Sequence, residues 1–147
     1  MSNESPDLLL SDAELTSLLQ KSKSVAVIGV SAKEDRASHH VAKFLIQKTR
    51  LEVYLVNPML DELWGKRVYH SLAELVAEVG STIDIIDAFR KSEDIPEVMD
   101  EALAAGAKVL WMQLGIRNSD EAERGRAAGV EVIQNRCLKI EMQRLGV

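Results

Sequence analysis

Ser24-Val25-Ala26-Val27-Ile28-Gly29-Val30-Ser31 opens with four consecutive apolar residues after a single serine and closes on a glycine turn. An apolar run without alternation leaves no wet face, so this strand belongs where helices cover both sides of a parallel sheet. Gly29 ends it, and a loop with Arg36 leads to a helix over residues 38–48, in which Val41, Phe44, Leu45 and Lys48 keep helical spacing. The same unit recurs along the chain. Strands are expected at 53–56, 83–88, 109–112 and 130–133, the first of these stopped by Asn57-Pro58, because proline cannot donate to a ladder.

The intervening helices carry their own punctuation. Ser11 with Glu14, and Ser71 with Glu74, have capping-box spacing, while Ser92 and then Asn118 or Ser119 serve as caps further on. Ile95, Val98, Met99, Ala102 and Leu103 form one apolar face that Gly106 ends, and a last helix runs over about 137–144. Residues 59–70 read as an irregular connection. Regular alternation with short links predicts an α/β, Rossmann-like three-layer doubly wound fold with a five-stranded, mainly parallel sheet. Residues 1–10 read as a flexible N-terminal tail and 11–147 as one domain, since 147 residues fit a single core.

Composition narrows the function. With 46% hydrophobic and 28% charged residues the chain is expected to fold, and its net charge of −5 disfavours nucleic acid and anionic membrane as partners. No apolar run approaches the ~20 residues of a membrane span and no signal peptide is evident, so a cytoplasmic location is expected. Cys137 is the only cysteine and His39, His40 and His70 lack zinc spacing, so no metal is expected.

In open parallel sheets ligands gather beyond the carboxyl ends of the strands. Of the five segments expected there, four carry an arginine (Arg36, Arg90, Arg117, Arg136), and the other carries Lys66 and Arg67. A cationic edge beside a helix start at Ser38 suits a phosphorylated ligand, although loop arginines are also commonly just solvated. Gly29-Val30-Ser31 supplies only the first glycine of a dinucleotide fingerprint, and Asn57-Pro58 stands where an acid would hold a ribose, so an NAD(P)-binding redox protein is the weaker alternative. Cys137 beside Arg136 is either a nucleophile for thiol-dependent acyl or disulfide chemistry or a small packing residue; without a histidine nearby in sequence, packing is preferred. Asp84 and Asp87 bracket a strand and are read as structural rather than as an acid and base pair. Trp64 before Gly65 is a packing residue or a cover for a ligand. No residue is assigned a catalytic role.

Val27-Ile28-Gly29-Val30-Ser31, Val56-Asn57-Pro58, Leu63-Trp64-Gly65, Asp87-Ala88-Phe89-Arg90, Trp111-Met112-Gln113-Leu114-Gly115 and Asn135-Arg136-Cys137 follow one another in order. Together they resemble the small single-domain CoA-binding proteins, which are similar to the CoA-binding N-terminal domain of the succinyl-CoA synthetase α subunit. The resemblance implies coenzyme A or an acyl-CoA as ligand, lying across the strand ends. Gly29, Val30, Ser31 and Ser38 would then meet phosphate with Arg36 as a clamp, Asn57 and Pro58 the adenosine side, and Phe89 and Arg90 the other wall. Met59 stands where many relatives have a basic residue, which leaves Lys66 or Arg67 to meet the 3′-phosphate. Asn135 stands where many have aspartate. The synthetase's phosphorylated histidine lies in a domain that this sequence does not include, so the resemblance implies a carrier, sensor or accessory module, and leaves open a homo-oligomer or a metabolic-enzyme partner.

Overall fold

The computed structural model describes residues 5–147. Six helices, α1 (Asp12–Lys21), α2 (Ala37–Lys48), α3 (Leu72–Val79), α4 (Ile95–Ala104), α5 (Ser119–Ala127) and α6 (Leu138–Leu145), enclose one sheet. Its strands are β1 (Ser24–Ile28), β2 (Glu52–Val56), β3 (Glu62–Leu63), β4 (Lys66–Tyr69), β5 (Ile85–Ala88), β6 (Val109–Met112) and β7 (Glu131–Ile133), in the order β3-β4-β2-β1-β5-β6-β7. All neighbours pair in parallel except β3 with β4.

The pleat of β1 divides the core. Val25 and Val27 face a cluster with Leu15 and Leu19 of α1, Val41 and Leu45 of α2, and Leu138 and Met142 of α6. Ala26 and Ile28 face the opposite cluster, built with Leu72 and Leu75 of α3, Ile95 and Met99 of α4 and Ala122 of α5. All five residues of β1 are buried, as expected of a strand covered on both sides. The crossover through α2 carries the chain from β1 to β2 on one side, and that through α4 carries it from β5 to β6 on the other. Strand order therefore reverses between β1 and β5.

The sheet has seven strands, not five. The two extra strands fill the connection expected to be irregular over residues 59–70, where Glu62 pairs with Arg67 and Leu63 with Lys66 around a two-residue turn. Both turn residues have positive φ, 54° at Trp64 and 75° at Gly65, the combination that matches the twist of a tight hairpin. Asn-Gly or Asp-Gly announces such a turn in a sequence; Trp-Gly does not. β4 then continues the parallel sheet, with Leu55 opposite Val68 and Val56 opposite Tyr69.

Local expectations at the helix starts divide. The Ser11 box is complete, with both Ser11 to Glu14 bonds formed. At Ser71 only half forms: the hydroxyl accepts from the Glu74 amide, while the Glu74 carboxylate takes the amide of His70. Ser92 does not cap α4. It begins a 3-10 turn, and its hydroxyl donates to the Arg117 carbonyl. Of the segment expected as a tail, residues 1–4 lie outside the described residues. In the remainder, the Asp7 carbonyl accepts from the Gln134 amide at 2.8 Å, the Ser5 hydroxyl donates to Glu123, and Leu8 and Leu10 pack on the α1 side of the core. No helix among the described residues is long and apolar enough to cross a membrane.

Val68 of β4 is 2% exposed, whereas Met59, in the preceding link, is 86% exposed. Val68→Ala is expected to lower unfolding free energy by about 2 kcal/mol and Met59→Ala by less than about 0.5 kcal/mol in urea titrations. Equal effects would show that the link does not pack as a strand.

Candidate functional site

The reversal between β1 and β5 opens the carboxyl edge of the sheet at two consecutive turns, Gly29 after β1 and Phe89-Arg90 after β5. Their backbones stay in register at first, since the Phe89 amide donates to the Ile28 carbonyl at 2.8 Å and the Gly29 amide to that of Val56 at 2.9 Å. Gly29 then turns with φ +85°, and a β-carbon there would lie 2.5 Å from the Phe89 carbonyl oxygen. Only glycine permits this approach.

Two cavities meet at the turns. One, of about 810 Å³, lies between the start of α2 and the face of α6 and is lined by Gly29, Ser31, Lys33, Arg36, Ala37, Ser38, His40, Val41, Phe89, Arg90, Lys91, Gln113, Leu114, Ile116, Cys137, Lys139, Ile140 and Gln143. The other, of about 430 Å³, lies beyond β2 and is lined by Ile28, Gly29, Val56, Asn57, Pro58, His70, Ser71, Arg90, Glu97, Val98 and Glu101. Gly29 and Arg90 line both, so the two cavities border the same turns at the switch point and make up one candidate cleft there.

Of the residues expected at a ligand, Gly29, Ser31, Arg36, Ser38, Phe89 and Arg90 line the first cavity, and Gly29, Asn57, Pro58 and Arg90 the second. Val30 and Lys66 line neither. Val30 is fully buried, and its carbonyl accepts from the Asn57 side-chain amide at 2.7 Å. Lys66 is taken up in β4. Asn57 thereby fastens the first loop to the exit of β2, and its Oδ1 accepts from the Met59 amide at 2.7 Å. His39 fastens the same loop from the other side, its Nδ1 standing 3.0 Å from the Ser31 carbonyl and its ring edge-on to Trp64 at 4.8 Å. Trp64 lines neither cavity.

The charge at the first cavity comes from five cations, Lys33, Arg36, Arg90, Lys91 and Lys139, with no carboxylate among the lining residues described. This differs from the expected row of arginines. Arg117 pairs with Asp7 at 2.8 Å and Arg136 lies 3.5 Å from Glu141, and neither lines the cavity. Lysines Lys33, Lys91 and Lys139 take their places. Lys139, Ile140 and Gln143 were not singled out from sequence; their i, i+1, i+4 spacing on the last helix is the one signal that they share a face. The α2 N-terminus adds to the positive potential, because Arg36 occupies its cap without any side-chain hydrogen bond and Ala37 and Ser38 line the wall. Helix starts left uncapped in this way present amides and a partial positive charge.

The two strand aspartates separate in role. Asp84 sits at the amino end of the sheet, where its carboxylate accepts from the Lys23 amide at 2.7 Å, far from the cleft. Asp87 is wholly buried. Gln113 on the cavity wall donates to its Oδ1 at 2.5 Å, and its Oδ2 has no hydrogen-bond partner. Burial pushes its carboxyl up to about 7, against a lowering contribution from the Gln113 bond. The folded chain therefore holds a proton on Asp87 that the unfolded chain releases above about pH 4, so stability is expected to fall between about pH 4 and 7 and then level off. Asp87→Asn should flatten that slope and make the protein about 1–3 kcal/mol more stable than the parent at pH 8. Urea titrations at pH 5 and 8 measure both, and parallel pH profiles would refute the buried neutral carboxyl.

Residues 23–143 match the family described as CoA binding domain. The Bacillus subtilis (strain 168) protein YneT is 38% identical over 130 residues, covering 88% of this chain and 93% of that one. A solved protein from Pyrococcus horikoshii OT3 superposes with a TM-score of 0.86 at 31% identity, covering the whole of both chains. The ADP-forming acetate–CoA ligase of Methanocaldococcus jannaschii is 31% identical over 86 residues, 58% of this chain but 12% of the ligase. The domain match over most of the sequence and the full-length likeness to YneT agree, and the chain belongs to the CoA binding domain family.

Proposed function

We propose that this protein binds coenzyme A or an acyl-CoA in the cleft across the β1/β5 switch point and acts as a non-catalytic carrier, sensor or accessory module. The observation that carries this is the pairing of charge and position: a chain of net charge −5 lines one cavity, at the edge where this fold receives ligands, with five cations and no described carboxylate. Ser31, Arg36, Ser38 and Arg90 are suited to the diphosphate, together with the uncapped amides of α2. The second cavity suits the nucleoside. There Glu97 and Glu101 stand among the lining residues and would accept from the free ribose 2′-hydroxyl or the adenine amino group, with the 3′-phosphate turned away from them. The pantetheine arm then runs past Phe89 into the first cavity. The acid–base equipment of a ligase is not needed for any of these contacts, and the likeness to the acetate–CoA ligase is confined to a small part of that protein.

Titration calorimetry should give a Kd for CoA on the order of micromolar, and Arg36→Ala and Arg90→Ala should each weaken binding about 10- to 100-fold. NADH should give no comparable heat. Silence with CoA at millimolar concentration would refute the assignment.

Cys137 supports a second reading because it lines the cavity assigned to the thiol arm and caps α6 without a side-chain hydrogen bond. Attack of its thiolate on a CoA disulfide would form a Cys137–CoA disulfide and release one CoA thiolate. Intact-protein mass spectrometry after incubation with CoA disulfide should then show a reducible adduct of CoA mass that Cys137→Ser lacks. An unmodified parent protein would exclude this chemistry.

A further inference from the structure

Leu114 and Ile140 are 64% and 53% exposed, and both line the cavity that carries the five cations. Scattered surface leucines need no explanation, but this pair lines one cavity together with Phe89 and Ile116. Leu114 is moreover held out rigidly. It sits in a turn in which the Ile116 amide donates to the Gln113 carbonyl at 2.9 Å, and Gly115 has φ +87°. The turn is pinned on both sides, by the Gln113 side chain to Asp87 at 2.5 Å and by the Gly115 amide to Asn135 Oδ1 at 2.7 Å. A turn that is already fixed costs little ordering entropy when a ligand covers the apolar side chain it carries.

The cavity thus combines cations at Arg36 and Arg90 with exposed apolar side chains at Leu114 and Ile140, and Lys139, next to Ile140, sets its ammonium 5.7 Å from the Phe44 ring centroid. Such a combination fits an amphipathic ligand with an anionic part and an oily one. Resting on the CoA assignment above, we infer that the preferred ligand is a thioester carrying an uncharged apolar acyl group, with Leu114 and Ile140 forming the acyl subsite.

The inference is tested by calorimetry of the full chain with CoA, acetyl-, butyryl-, hexanoyl- and succinyl-CoA. Affinity is expected to rise roughly two- to threefold per methylene, and so by an order of about 30-fold from acetyl to hexanoyl. In the double variant Leu114→Ser/Ile140→Ser the series should flatten while the Kd for free CoA stays within about twofold of the parent's, which also reports that the variant is folded. CoA bound with no dependence on acyl length, or succinyl-CoA bound more tightly than butyryl-CoA, overturns the acyl subsite and leaves CoA binding intact. No binding of any member removes the CoA assignment itself.

Discussion

The open carboxyl edge of the sheet depends on one close approach, the Gly29 α-carbon against the Phe89 carbonyl. Two parallel strands that diverge to opposite faces of a sheet must part at their carboxyl ends, and here they part with no side chain between them. A β-carbon 2.5 Å from that oxygen would force the β1 and β5 exits apart. Because the turn is bare, Gly29 lines both cavities. The direction of the loop is then fixed from outside the turn: Asn57 holds it through the Val30 carbonyl, and His39 stands against that of Ser31.

Electrostatics completes what the backbone begins. An acidic chain gains a cationic site by neutralising some positive groups elsewhere and withholding partners from others. Arg144 is bound by Asp12 and Glu141, Arg124 by Asp100 and Glu121, and Arg67 by Glu74 and Glu78. At the cleft, Arg90 has Asp94 at 3.4 Å as an exposed and therefore weak partner. Local field, not net charge, decides which ligand such a surface attracts.

The fold was legible where burial is two-sided, because Val25-Ala26-Val27-Ile28 and Val109-Leu110-Trp111-Met112 leave no alternative to covered strands. It was illegible at the sheet margin. β3, the edge strand, and β4 beside it are short and charged, and their hairpin is closed by a Trp-Gly pair that no turn preference announces. The site divided in the same way. Gly29, Arg36, Ser38 and Arg90, expected at the ligand because they stand in the segments that follow strands, line the first cavity. Arg117 and Arg136 were grouped with them for the same reason, but Arg117 pairs with Asp7, 110 residues earlier, which sequence order does not announce, and Arg136 stands 3.5 Å from Glu141 on the helix that follows it. Val30 fell one residue beyond a bare turn and packs inward, while the α6 contribution is a helical face rather than a loop motif.

Asp87 shows how stability and site geometry are balanced. A carboxyl buried without a partner for one oxygen is a cost that an apolar residue of similar size would avoid. Its return is local order: Asp87 holds Gln113, Gln113 begins the turn that holds Leu114, and Asn135 closes that turn from the neighbouring loop. Asn135 itself adopts φ 55°, uncommon for a residue other than glycine, to reach the Gly115 amide. Two locally unfavourable features therefore converge on one short segment at the cavity wall. Strain at Asn135 and an orphan oxygen on Asp87 both act on the turn at Leu114, and preorganisation of that cavity wall is the physical effect that accounts for both.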